Sequence, residues 1–423
     1  MKPQRPSLAE RLRQSTKERH DAVERVALFR ALRAGELPRT SLVSYLRGLT
    51  IVHAGLETAL SRRFGASYGP WRAGSTRVDD LMATLEAAGA TGMPDVPRAV
   101  DAALAWADTV MLESERGPAL LGMHYVLEGS QLGGHVLRDR VAGALGVAPE
   151  RVTYYRGDAA LLGPRWEAYR ADLNAMGLDG DEQEVLIEAA HVAYDGVEAV
   201  ASAAFPYQES ELRHRLTAIN PEAGRHAMPR SEVEIARALR CAKVSWDRFP
   251  YLAERFGERG RRYTNSDSCW LVSLYDEPAP SVVAGLRWLR IVLASRGLPT
   301  VILEQHLEAI ERDVALDDPA RAAASPGFRS ALESFRAERD RLLAPAIRRA
   351  LRERWQPRFD AAPGLRVAAA ADLLIGARLD TALGVTGAWT ATHGWFVDPA
   401  RFSGAWIEAV GSLAAELETA VGA

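Results

Sequence analysis

Two stretches of the chain carry residue types that could do chemistry. In Leu12-Arg13-Gln14-Ser15-Thr16-Lys17-Glu18-Arg19-His20-Asp21-Ala22-Val23-Glu24, a helix turning ~100° per residue gathers Arg13, His20 and Glu24 into one sector of about 60°, with Lys17 beside it. An imidazole there could ligate iron, and the cations on the preceding turns would meet carboxylates arriving from the same side. An ordinary surface or core histidine is the plainer reading of the same spacing. The second stretch, Tyr125-Val126-Leu127-Glu128-Gly129-Ser130-Gln131-Leu132-Gly133-Gly134-His135-Val136-Leu137, sets three glycines inside an apolar helix expected over 120–141. Each interior glycine costs about 0.5–1 kcal/mol relative to alanine. That cost implies close approach to the backbone, by a crossing helix or by a flat ligand under a kinked helix. Gly129 and Gly133 stand one turn apart on one face.

The second half of the chain offers weaker signals. Phe249 to Asp267 mixes aromatics, arginines and turn residues. It reads as a corner between helices, with Ser266 or Asp267 capping a helix through Trp270 to Tyr275. Its alternative is an anion-binding loop built on Arg259, Arg261 and Arg262. His306, and His393 beside three aromatics, could each contact a tetrapyrrole, although isolated histidines do so rarely. Cys241 and Cys269 cannot build a disulfide framework, and no pair of CxxC motifs offers a zinc site.

The elements that must position these residues are helices. Apolar residues recur at three- and four-residue spacing over 8–29, 41–64, 97–113, 181–204 and 230–243, and alternating β-branched runs are nearly absent. An all-α protein follows. Its 423 residues suggest two domains. Pro206, Pro221, Gly224 and Pro229 interrupt the helical pattern, so the expected division is 1–205, a linker over 206–229, and a second helical domain over 230–423. A net charge of −3 gives no reason to expect nucleic acid or an anionic membrane as a partner. The start of the chain has no apolar export segment, and no apolar run approaches ~18 residues. A cytoplasmic location is expected. Lysine occurs only at positions 2, 17 and 243, so the abundant arginines are read as solvated helix faces unless a motif claims them.

Taken together, the two motifs resemble the proximal and distal helices of heme oxygenases, especially the bacterial, bacteriophytochrome-associated branch. The resemblance covers residues 1–205. It implies that His20 is the proximal iron ligand and that Glu24 supports the proximal side. Gly129 and Gly133 would kink the distal helix over heme, with Ser130 and Gly134 beside them. Arg13 and Arg170 fall where propionate partners are expected, Lys17 flanks them, and Tyr194 would line the pocket from the last helix of the bundle. Heme would then be both substrate and prosthetic group. It would be cleaved with dioxygen and electrons from a ferredoxin or reductase to biliverdin, carbon monoxide and ferrous iron. A bilin-accepting phytochrome is a further conceivable partner, and the protein would act as a monomer or homodimer.

Two departures stand out. Ser130 occupies the place of an aspartate that organises the proton-delivering water in animal-type enzymes, and a serine supplies no carboxylate. Trp166 stands where a propionate-binding lysine is common. His124 and His135 near the distal stretch read as structural or solvent-facing. The same fold could also host a non-catalytic heme or bilin binder, or a dimetal oxidase with carboxylate and histidine ligands converging inside the bundle.

Overall fold

The computed structural model describes residues 6–65, 67–68, 71–72, 77–155, 159–225, 228–229 and 231–422. Arg230 and the side chain of His135 lie outside the described residues. The chain divides into two compact units at 226/227.

The first unit is a helical bundle: α1 (Leu8–Glu24), α2 (Ala27–Ala34), α3 (Arg39–Phe64), α4 (Val78–Ala87), α5 (Pro97–Leu112), α6 (Gly117–Leu145), α7 (Ala159–Asn174) and α8 (Gly180–Ala204). A two-residue antiparallel hairpin, β1 (Ser67–Tyr68) with β2 (Trp71–Arg72), is its one strand pairing among the described residues. The α8 helix is the spine, flanked by α1, α5 and α6, while α3 packs on α5 and α6. A capping box starts α8: the Asp179 carboxylate accepts from the Glu182 amide at 2.9 Å, and the Glu182 carboxylate accepts from the Asp179 amide at 3.0 Å. This satisfies two donors that a helix start leaves open. The polar Ser41, Ser44 and Thr50 are buried on α3 together with Leu42, Leu46 and Leu49, as a helix enclosed on all sides requires.

Gly122 explains how α6 lies so close to α8. A Cβ there would run into the carbonyl oxygen of Leu186, so the two backbones meet without an intervening side chain. Deeper in the unit, Arg47 and Asp95 form a fully buried ion pair, and the Arg47 guanidinium also donates to the carbonyl oxygens of Ala90 and Met93. Burial pushes the Asp95 carboxyl up, and the adjacent Arg47 charge pulls against that rise.

Three sequence expectations change here. The helix expected over 8–29 ends at Glu24, because Arg25 turns its amide back to Ala22 and Val23 and α2 starts afresh from Val26. The segment expected to link the halves is partly built into the first unit: Arg213 and Asp95 exchange backbone hydrogen bonds of 2.7 and 3.0 Å, and Leu216, Ala218, Ile219 and Asn220 are buried. Short apolar residues there bury against α3, so the prolines shape a packed strap. Finally, the segment 249–267 is mostly helical.

The second unit comprises α9 (Glu232–Arg248), α10 (Tyr251–Leu274), α11 (Ala279–Ser295), α12 (Thr300–Asp317), α13 (Pro319–Ala324), α14 (Gly327–Leu342), α15 (Pro345–Ala361), α16 (Ala370–Ala382), α17 (Ala388–Phe396) and α18 (Gly404–Gly422). Its core contains an aromatic cluster in which Phe396 stacks on Tyr251 at 5.6 Å and on Trp406 at 6.0 Å. The corner in α10 falls at Gly257, whose φ of 54° is left-handed and favours glycine. It does not fall at Ser266 or Asp267, which sit inside the helix, where the Ser266 hydroxyl donates to the Tyr263 carbonyl. The arginines of the expected anion loop meet aromatic rings: Arg259 lies 6.0 Å from the Tyr263 ring and Arg261 5.4 Å from the Trp246 ring.

Candidate functional site

The α1 helix is fixed first. Ser7 caps it by accepting from the Glu10 amide at 3.3 Å, and Asn174 at the end of α7 accepts from the Ala9 amide at 2.9 Å. Leu8, Leu12 and Thr16 are buried, one turn apart. A polar ladder ties another stripe of α1 to α8: Arg11 to Gln183 and Glu184, Ser15 to His191 at 2.6 Å, and Arg19 to Asp195 at 3.0 Å. These contacts leave the stripe of Arg13, Lys17, His20 and Glu24 free of the core.

On that stripe the His20 side chain is 53% exposed and its ring meets Tyr194 of α8 edge-on at 6.2 Å. Its Nδ1 faces Asp21 Oδ1 at 3.6 Å and its Nε2 faces Glu24 Oε1 at 3.9 Å. Both distances exceed a hydrogen bond. Asp21, which spacing had not singled out, is therefore the carboxylate at Nδ1, and Lys17 Nζ holds its other oxygen at 2.7 Å. The hydrogen bond from Lys17 lowers the Asp21 carboxyl below its usual range.

Arg13 and Arg170 are each paired with a carboxylate on their own helix. Arg13 donates to Glu10 at 2.8 and 3.2 Å, and Arg170 to Glu167 at 3.0 and 3.3 Å. The Arg13 and Gln14 donors hold the Glu10 carboxyl down to about 2. Both guanidinium charges act on the Tyr125 phenol of α6, which burial lifts, and Tyr125 in turn acts on Tyr194, which burial pushes up to about 12. Four residues expected at the site, Arg13, His20, Arg170 and Tyr194, thus surround one neighbourhood, and Tyr125 joins them.

On α6 the three glycines part ways. The helix runs unbroken from Gly117 to Leu145, and none of the three takes a positive φ, so they remove side chains without breaking the helix. A Cβ on Gly133 would meet nothing within 4 Å, whereas one on Gly129 would touch the Trp166 indole at 3.2 Å. Gly134 is a correction: its missing side chain makes room for the Tyr155 ring, so it serves packing, not a ligand. Beside Gly133, Leu132 and Val136 are 37% and 78% exposed, an apolar ribbon uncovered by protein. Trp166 stacks on Tyr169 at 5.3 Å and lies 5.2 Å from Tyr125, closing one end of the ribbon with aromatic rings.

The two adjacent glycines therefore predict opposite behaviour. Gly133→Ala should keep or raise stability, by up to about 1 kcal/mol, and weaken binding of a flat ligand. Gly134→Ala should cost about 1–3 kcal/mol through the clash with Tyr155. Urea unfolding of both variants checks this, and equal losses would contradict the assignment of Gly133 to an open face.

Behind the ribbon lies a buried polar group that spacing did not reveal. His53 Nε2 is 3.1 Å from the Tyr154 hydroxyl, and His53 Nδ1 is 3.6 Å from Glu57 Oε1, which accepts from the Arg77 amide at 2.6 Å. Arg77 and Arg165 each pair with Glu128 at 3.0 Å. Burial acts to raise the Glu128 carboxyl, but Arg77, His124 and Arg165 together hold it below its usual range. His124 Nδ1 lies 3.2 Å from the Tyr169 hydroxyl, and burial pushes the imidazole down to about 4. The Ser130 hydroxyl donates to the Leu127 carbonyl at 2.6 Å. A histidine and a glutamate four residues apart inside the apolar α3 were the available sequence signal.

In the second unit both ring nitrogens of His306 are engaged. His306 is buried between the hydroxyls of Ser245, 2.7 Å from Nδ1, and Ser268, 2.9 Å from Nε2. Ser268 already donates to the Thr264 carbonyl at 2.6 Å, so it accepts from Nε2–H, and neither ring nitrogen is left for a metal. His393 stacks on Trp389 at 4.8 Å. Burial pushes both cysteine thiols up to about 12. Among the described residues, no three His, Cys, Asp or Glu side chains gather in a way that could hold a metal ion, so a dimetal oxidase finds no ligand set there. No described helix is long and apolar enough to cross a membrane.

Residues 6–202 match the family model described as heme oxygenase. No curated protein matches the chain. Among solved structures, the chain is similar to the heme oxygenase of Leptospira interrogans, with 22% identity over 47% of this chain and 99% of that one, at a TM-score of 0.40. It is also similar to heme oxygenase-1 of the cyanobacterium Synechocystis, solved with heme, with 18% identity over 46% of this chain and 91% of that one, at a TM-score of 0.41. A third similarity is to Synechocystis heme oxygenase-2, solved with heme and NO, with 20% identity over 47% of this chain and 85% of that one, at a TM-score of 0.42.

Proposed function

From the premise that residues 6–202 belong to the heme oxygenase family, we propose that this half of the chain binds heme between the His20 stripe of α1 and the glycine-lined face of α6. There it cleaves heme with dioxygen to biliverdin, carbon monoxide and ferrous iron. The observation that carries this reading is the open face at Gly133, flanked by exposed Leu132 and Val136 on a helix packed against the same spine as α1. A flat apolar ligand fits such a surface, and an exposed patch of this kind on a soluble bundle calls for an occupant.

The donor set fits heme as well. When bound, heme supplies both the iron that activates dioxygen and the macrocycle that is cut. His20 would hold the iron through its imidazole, with Asp21, 3.6 Å from Nδ1, and Glu24, 3.9 Å from Nε2, as the carboxylates beside the ring. Arg13 and Arg170 exchange Glu10 and Glu167 for the carboxylates of the ligand, orienting it by charge-assisted hydrogen bonds. Leu132 and Val136 exclude water from the covered face, and Tyr194 closes the side between the two helices. Ser130 presents a hydroxyl at the edge of that face. Electrons come from a ferredoxin or reductase, since the sequence carries no glycine-rich dinucleotide fingerprint after a strand.

The test is to mix the full chain with hemin and add ascorbate or reduced ferredoxin in air. The expected result is a Soret band that decays as a biliverdin band grows. A Soret band that persists under reductant would leave a heme binder without turnover, the reading favoured by a serine at position 130. Failure to form a Soret band at all would overturn the proposal.

A further inference from the structure

An exposed aromatic corner in the second unit plays no part in the heme-cleaving reading. On α10, Asp267 and Trp270 stand one turn apart, and on α11, Gly285, Trp288 and Ile291 follow one another at the same three-residue spacing. The two helices meet there through side chains: a Cβ on Gly285 would touch the Trp270 indole at 3.8 Å, and the Trp270 and Trp288 rings lie 6.1 Å apart with their planes at 77°. Two indoles so inclined form the walls of a corner whose faces carry the negative side of the ring quadrupole. The outer wall is open, since Trp288 is 55% exposed and Ile291 beside it 51%. A long helical side chain leans over the turn before its own Cα, which sets Trp270 above the turn that bears Asp267. Burial there pushes the Asp267 carboxyl up to about 6, against the pull of the Arg296 charge. Among the described residues no hydrogen bond or ion pair reaches that carboxylate. Other carboxylates of the same unit are provided for: Glu304 pairs with Arg339, Glu338 with Arg290 at 2.5 Å, and Asp380 accepts from the Thr300 amide at 2.8 Å. A partly desolvated carboxylate without a partner is costly. Beside two indole faces it is complementary to a cation that is itself weakly hydrated.

We propose that Asp267, Trp270 and Trp288 form a binding site for a small organic cation of the alkylated ammonium class. The indole faces hold the charged head by cation–π attraction, Ile291 packs on its alkyl groups, and the Asp267 carboxylate supplies the opposite charge. A strongly hydrated inorganic cation gains less from the indoles than it loses in water. A ligand that carries carboxylates, as heme and its cleavage product do, meets Asp267 as a like charge. Arg296 competes with the ligand for Asp267 and so limits the affinity. The site does not depend on heme chemistry in the first unit.

The test is isothermal titration calorimetry of the full chain with choline, repeated with its uncharged carbon analogue, in which a tert-butyl group replaces the trimethylammonium head. Choline should bind with a low-millimolar dissociation constant or tighter, and the neutral analogue about tenfold more weakly or worse. Asp267→Asn keeps the shape of the side chain, and Trp288→Ala removes an exposed ring, so both variants should unfold near the wild-type temperature. Each should weaken choline by about tenfold or more. Arg296→Ala removes the competing cation and should bind choline at least as tightly as the wild type. Absence of choline binding by the wild type overturns the proposal. Equal binding of the neutral analogue overturns it too, because the corner would then be an apolar patch only. Choline binding untouched in both Asp267→Asn and Trp288→Ala, or lost in Arg296→Ala, places the ligand elsewhere and has the same consequence. None of these outcomes bears on heme binding, so the two readings fail separately.

Discussion

Alanine at position 20 is expected to remove the axial-histidine signature of the heme complex and to weaken heme binding by more than about 100-fold, since loss of even a supporting partner of a metal ligand typically costs 10–100-fold. The effect should be specific. His20 is half-exposed and makes no hydrogen bond within the limits of length, so its removal leaves the packing of α1 to Leu8, Leu12 and Thr16 intact. Circular dichroism and the unfolding temperature should match those of the wild type, and exogenous imidazole should restore ligation in part. An unchanged spectrum in His20→Ala would show that another side chain ligates the iron. His306 and His124 are poor substitutes, because each is buried and already bonded to a neighbouring hydroxyl.

The largest effect on stability is expected at Arg47. Replacing it with methionine leaves Asp95 buried without its cation and also strands the carbonyls of Ala90 and Met93. Breaking a buried pair from one side costs about 3–5 kcal/mol. For a unit of this size that corresponds to a transition roughly 6–20 °C lower. Differential scanning calorimetry of the full chain checks this. A loss below about 1 kcal/mol would mean that Asp95 takes up a proton at little cost, as the upward push of burial on its carboxyl permits. The pair ties α3 to the turn before α5, so the same variant should also loosen the strap that Arg213 anchors on Asp95.

How much of this was legible in the sequence differs from one element to the next. Helices with a strong local code were readable: the apolar periodicity over 181–204 places α8 almost to the residue. The stripe of Arg13, Lys17, His20 and Glu24 follows from helical geometry alone, and the structure keeps it on one free face. The glycines were readable as a set but not one by one. Gly129, Gly133 and Gly134 have the same composition signal, and only the opposing surface decides that the first meets an indole, the second a solvent-facing space and the third a phenol. The corner at Gly257 was hidden because arginines and aromatics suit a helix as well as a loop when they stack on one another. Most distant from the sequence was the His53–Tyr154 contact, whose partners are 101 positions apart and meet only after α3, α4 and α6 have packed. The strap over 206–225 misled for the same reason, since its prolines and charges read as a linker until the burial of Leu216 and Ile219 is seen.

One measurement bears most directly on the claim that the first unit cuts heme. Carbon monoxide can be trapped with ferrous myoglobin while the full chain consumes one equivalent of hemin under reductant in air. Oxidation of the ring at a meso carbon releases that carbon as the gas, so the account predicts one carbon monoxide per heme lost, with biliverdin rising in step. Bleaching of the Soret band without carbon monoxide would contradict it, because the heme would then be destroyed by unguided oxidation and not opened on the glycine-lined face of α6.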